Sequence, residues 1–65
     1  MTWNLLLGGT VIAHGFTTSQ VSLHKKVIKR AVLKGGWVDI SDPSTQRSIQ
    51  LFLSPGVAIG FIAQP

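Results

Sequence analysis

The sequence predicts an α+β domain of order β-β-α-β-β-β, a mostly antiparallel sheet with one amphipathic helix packed on one face. Three observations lead there. A Gly8-Gly9 pair separates two extended runs near the start. A capping signature at Thr17 opens a long stretch of helical periodicity. After Gly35-Gly36, short alternating runs are separated by turn-forming residues. Short connections between such elements favour antiparallel neighbours and a helix laid across the sheet. The length suits one small domain, residues 1–65.

The first element is a hairpin, Thr2 to Leu7 and Thr10 to Phe16, around Gly8-Gly9. A two-residue hairpin turn places positive φ at its centre, which glycine adopts without a steric penalty. The helix start is the sharpest local signal. Thr17 followed three residues later by Gln20 is a capping box, and Phe16 with Val21 supplies the hydrophobic staple around it. The helix should span Thr18 to Lys34 and stop at Gly35-Gly36, since glycine tolerates the left-handed conformation that closes many helices. Three strands follow: Gly36 to Ser41, Arg47 to Leu53 and Val57 to Ala63. Their breaks are Asp42-Pro43-Ser44-Thr45 and Ser54-Pro55-Gly56, both rich in turn chemistry.

The helix divides at about 100° per residue into two halves. Leu23, Val27, Ala31, His24, Ile28, Val21 and Val32 fill the apolar one. Lys25, Lys26, Lys29, Arg30 and Lys34 fill the other, with Ser22 and Leu33 and without an acidic residue. An ordinary solvated face mixes signs, and lysines near a helix C-terminus also favour its dipole. A one-sign stripe is in addition the footprint expected of an anion-binding surface. These five cations are therefore the candidates for anion or nucleic-acid binding. In the sheet, Ile49, Leu51, Leu53, Val57, Ile59 and Phe61 can share the helix side. Alternation then sends Trp37, Phe52, Ala58 and Ile62 to the opposite face, beside Asp39, Ser48 and Gln50. Single exposed apolar residues need no explanation, but a cluster of them marks a partner. Trp37, Phe52, Ala58 and Ile62 are the interface candidates.

Catalytic and cofactor chemistry finds little footing. There is no cysteine, so disulfides and thiolate metal sites are excluded. His14 falls in a strand and His24 in the apolar helical arc, positions of packed rather than reactive histidines. Asp39 and Asp42 would point to opposite faces of an extended strand, and Asp42-Pro43 is turn chemistry. No serine stands in a nucleophile elbow, and Gly8-Gly9 lacks the spacing and lysine of a phosphate loop. The expectation is a protein that is not an enzyme, with no catalytic residues, no metal ligands and no cofactor.

Charge and hydropathy narrow the partners. All eight charged residues lie between Lys25 and Arg47, and the net charge is +4. With 45% hydrophobic and only 12% charged residues, the chain has more apolar surface than so small a domain can hide. A core of this size supplies only about 3–5 kcal/mol net, and without disulfides or metal the remaining support is oligomerisation. The residues before Leu5 lack the basic segment of a signal peptide, and no apolar run approaches the ~18 residues of a membrane span. A reducing cytoplasm is compatible with the absence of cysteine.

The segment Leu23-His24-Lys25-Lys26-Val27-Ile28, the helix end Leu33-Lys34-Gly35-Gly36-Trp37 and the closing Leu53-Ser54-Pro55-Gly56-Val57-Ala58-Ile59 resemble a small, uncharacterised actinobacterial α+β domain family. The chain departs from that pattern at Lys25, Gly56 and Ala58 and lacks its acidic residues before the helix. The resemblance implies the same element order and no particular chemistry. It also implies a phage or mobile-element origin, and so a phage particle as an alternative location to the cytoplasm.

The leading functional expectation is an interaction or assembly module that self-associates, as a dimer or larger, through an apolar sheet face or edge. The alternative is a nucleic-acid-binding protein using the Lys25–Lys34 arc. A membrane-surface-active basic protein is a weaker third reading, because such helices set Trp or Phe opposite their charge and this one carries neither.

Overall fold

The computed structural model describes residues 1–64. The order is β1 (Thr2–Leu7), β2 (Thr10–Phe16), α1 (Thr18–Lys34), β3 (Gly36–Ser41), β4 (Ser48–Leu53) and β5 (Ile59–Gln64). The α+β class, the single helix and the element order are as the sequence predicts. Strand β4 begins one residue after Arg47, and β5 begins at Ile59, leaving Val57 and Ala58 in the preceding turn.

The strands form two antiparallel sheets instead of one, β2-β1-β5 and β3-β4. Strand β5 crosses back to lie along β1, from Thr2↔Gln64 to Leu7↔Ile59, and does not pair with its neighbour in sequence, β4. The Gly8 N–H donates to the Ala58 carbonyl at 2.7 Å, which continues that ladder one step past the strand ends. Gly8 and Gly9 have φ of 59° and 83°, the paired positive values that a tight hairpin turn requires.

Strand β2 carries one more residue than β1 between the pairs Trp3↔Phe16 and Leu5↔Ala13, a bulge at His14-Gly15. Gly15 takes φ 85° there, and a Cβ at its position would meet Pro43 and Ser44 of the β3–β4 turn at van der Waals distance. The bulge thus brings the end of the first sheet onto the turn of the second. Asp42 fastens the junction. Its Oδ1 accepts from the His14 N–H (3.2 Å), the Ser44 N–H (2.9 Å) and the Ser44 hydroxyl (2.7 Å). Asp42 is the buried polar residue among the described residues.

These bonds favour the carboxylate and hold the Asp42 pKa at about 2, below its ordinary 3.8. The Ser44 hydroxyl contributes most; burial opposes the shift, and the Ser44 and His14 amides and the Thr45 hydroxyl reinforce it. Because the folded pKa is depressed, the stabilisation is complete above the unfolded value of ~4 and lost as pH falls through about 2. The urea midpoint is therefore expected to drop across that window, and Asp42→Asn should flatten the drop. A wild-type midpoint unchanged across it would show that the clasp does not form.

The core joins both sheets and the helix: Leu5, Ala13 and Phe16, then Val21 and Ile28, then Val38, Ile40, Leu51 and Leu53. Phe16 is fully buried, and its ring meets His24 and Phe61 edge-on with centroids 5.3 and 5.5 Å away.

Helix α1 starts as its sequence dictates. The Thr17 N–H donates to Gln20 Oε1 at 2.8 Å, and the Gln20 N–H donates to Thr17 Oγ1 at 3.2 Å. Both staple residues, Phe16 and Val21, lie in the core. Removing the cap with Thr17→Ala should cost about 1 kcal/mol, read as a lower urea midpoint with an unchanged slope. Equal stability of the two proteins would show that the box contributes nothing. At the other end Gly35 has φ 73° and ψ 135°, so the helix stops at a positive-φ glycine that is extended in ψ, outside the left-handed helical region expected.

Candidate interaction surfaces

The buried stripe of α1 is narrower than its apolar half. Val21 and Ile28 are buried and His24, Ala31 and Val32 are half-buried, whereas Leu23 is 65% exposed and Val27 and Leu33 are also exposed. The reason is geometric. The helix meets β3 most closely and touches β1, β2 and β4 more lightly, so no broad sheet underlies it. Leu23 and Val27, expected to pack inward, instead border the β3 side of the helix. His24 turns inward, its Nδ1 2.7 Å from the Gln20 carbonyl oxygen. A carbonyl only accepts, so the ring hydrogen sits on Nδ1 and the residue serves packing against Phe16.

On the second sheet Trp37 and Phe52 are directly opposed cross-strand partners. Their ring centroids are 5.5 Å apart at 66°, an edge-to-face pair, and they are 71% and 57% exposed. The next pairs outward on the same face are Asp39↔Gln50 and Ser41↔Ser48. The face therefore grades from aromatic, beside the helix end, to hydroxyl at the far turn. Ile62 is exposed as well but belongs to the first sheet, where it pairs with Asn4, and Ala58 lies in the turn before β5. The interface candidates thus do not form one patch: Trp37 and Phe52 stand together, Ile62 lies on the other sheet, and Ala58 lies in the loop that leads into it.

Lys25, Lys26, Lys29, Arg30 and Lys34 are all exposed on α1. Of the two acidic residues, Asp42 is engaged with His14 and Ser44, and Asp39 sits on the outer face of β3. The helix cations thus share one solvent-facing arc with no carboxylate on their own element.

A further apolar surface was not legible from alternation. A groove of about 360 Å³ runs between α1 and β5, lined by Val57, Ile59, Phe61 and Leu33 and bordered by Lys25 and Lys29. Its strand residues read in sequence as ordinary core positions. Their partial exposure arises because β5 is an edge strand, and pairing order is what the local pattern does not carry. Among the described residues no three His, Asp or Glu side chains gather as metal ligands, and no helix is long and apolar enough to cross a membrane.

No protein-family model, curated protein or solved structure matches this chain. The functional reading therefore rests on these surfaces.

Proposed function

We propose that this chain is a non-enzymatic assembly module that pairs with a second copy of itself through the outer face of β3-β4, centred on Trp37 and Phe52. The observation that carries this reading is the exposed edge-to-face pair on a two-stranded sheet. The inner face of that ribbon is already packed on α1 through Val38, Ile40, Leu51 and Leu53, so the aromatic pair is the part of it left in water. Burying the pair would remove roughly 300 Å² per subunit, worth ~7 kcal/mol at ~25 cal/mol per Å². Two subunits together then offset an association cost of about 4–15 kcal/mol. With an interface smaller than the ~1,200 Å² of stable complexes, the dimer is a weak one that dissociates on dilution. A twofold arrangement is the simplest, because one self-complementary patch then satisfies both subunits.

Tryptophan emission tests it. The chain has two tryptophans, and Trp3 donates to Thr18 Oγ1 at 3.3 Å. In a Trp3→Phe background the emission reports Trp37 alone. It is expected to shift red on dilution through the micromolar range as Trp37 returns to water. Emission independent of concentration would refute pairing through this face.

A second reading, nucleic-acid binding, is supported by the exposed single-sign arc of α1. Under it, affinity for duplex DNA falls steeply with salt, the logarithmic slope scaling with the phosphates neutralised. Replacing Lys25, Lys26 and Lys29 with glutamine is expected to abolish that binding. Undetectable binding to DNA and RNA at low salt would leave the arc as solvated surface.

A further inference from the structure

The free edge of β5 carries chemistry that neither reading uses. Strand β5 pairs with β1 on one side only. In an antiparallel strand alternate residues direct both N–H and C=O to the same edge, so every second residue of β5 offers an unpaired donor and acceptor. Exposed edges of this kind are usually blunted by charge, proline or a covering segment. None of these is present within Ile59–Gln64, which contains no charged residue and no proline.

Both sides of that edge are apolar. On the helix side lies the groove bordered by Lys25 and Lys29, and on the opposite side a shallower one is formed with Leu6, Ala58 and Ile62. Ile59, Gly60 and Phe61 line both. A strand added at β5 would alternate its side chains between these two apolar surfaces, while its backbone completed the ladder. Gly60 adds no side chain to either surface, and a Cβ at its position would have no neighbour within 4 Å, so the sheet face there is open.

The charge at the rim selects the occupant. A second copy of this chain would bring its own Lys25 and Lys29 toward the first pair, and its β5 has no carboxylate to offset them. The geometry points to an extended segment of another protein, rich in alternating aliphatic and acidic residues, that docks on β5 by strand addition. Its carboxylates, on the helix side, meet Lys25 and Lys29 at the rim of that groove, and its aliphatic residues, one position out of phase, enter the shallower surface of Leu6, Ala58 and Ile62. In this mode main-chain bonds supply affinity and side-chain pockets supply selectivity. The surface excludes Trp37 and Phe52, so this inference stands apart from self-pairing.

The test titrates the isotopically labelled full chain with a short peptide in which valine and glutamate alternate, followed by amide chemical shifts. The expected result is saturable binding with the largest shifts at Ile59, Gly60 and Phe61. Affinity should fall about tenfold in Lys25→Gln/Lys29→Gln. It should hold in Arg47→Gln, which lies outside the groove, and in Phe52→Lys, which separates this result from the fate of the dimer. N-methylation of alternate peptide bonds should abolish binding in one of the two registers. The proposal is overturned by no binding at low salt, by equal affinity for the peptide with lysine in place of glutamate, or by shifts confined to Trp37 and Phe52. It is equally overturned if a DNA oligonucleotide displaces the peptide and shifts the same β5 amides, because the groove would then serve nucleic acid.

Discussion

Replacing Phe16 with alanine is expected to leave at least half of the chains unfolded at room temperature. Phe16 is fully buried, closes the β2 strand, staples the start of α1 and holds His24 and Phe61 edge-on against its ring. Truncating a buried phenylalanine costs about 3–5 kcal/mol, the transfer of the ring plus the cavity left behind. A domain of this size has only about 3–5 kcal/mol in hand. The two quantities are equal, so the substitution alone decides whether the fold persists. Circular dichroism and amide dispersion should lose half or more of the native signal, whereas Leu33→Ala, which removes an exposed side chain, should keep the native spectrum. A folded Phe16→Ala protein with an unchanged urea midpoint would show that the core is centred elsewhere.

The second large effect is expected from Phe52→Lys. Phe52 points away from the core residues Leu51 and Leu53 that flank it, because adjacent strand residues face opposite sides. Lysine at this position therefore fits without disturbing the interior. It removes the edge-to-face partner of Trp37, worth about 0.5–1.5 kcal/mol to the fold beyond its burial. It also sets two like charges against each other across a twofold interface. The expected product is a folded but less stable monomer at concentrations where the wild type pairs, seen by sedimentation velocity. An unchanged sedimentation profile of a wild-type dimer would move the interface away from this face.

Local structure was written plainly in the sequence, and pairing was not. Thr17 with Gln20 and Gly8-Gly9 are signals whose meaning depends on a few neighbouring atoms, and each forms as read. Alternation likewise placed Leu51 and Leu53 inside and Phe52 outside. What alternation leaves open is which strand lies beside which. The turn after β4 bonds Val57 N–H to the Ser54 carbonyl and releases the chain away from β4, so that β5 finds β1, far away in sequence. That one pairing splits the sheet in two, parts Ile62 from Trp37, and leaves Leu23 and Val27 without a surface to cover. The same pairing makes β5 an edge and opens the groove beside Lys25 and Lys29. Helical periodicity marked an apolar half, but the width actually buried depends on how much sheet lies beneath it.

Self-association through the Trp37–Phe52 face is the central claim, and light scattering coupled to size exclusion tests it most directly. Run on the wild-type chain over a series of loading concentrations, the weight-average mass is expected to rise from that of one 7.0 kDa chain toward twice that value through the micromolar range. The rise should persist at high salt, since the contact is apolar and screening does not weaken it. A mass that stays at one chain across the series, in low and high salt alike, would contradict the claim.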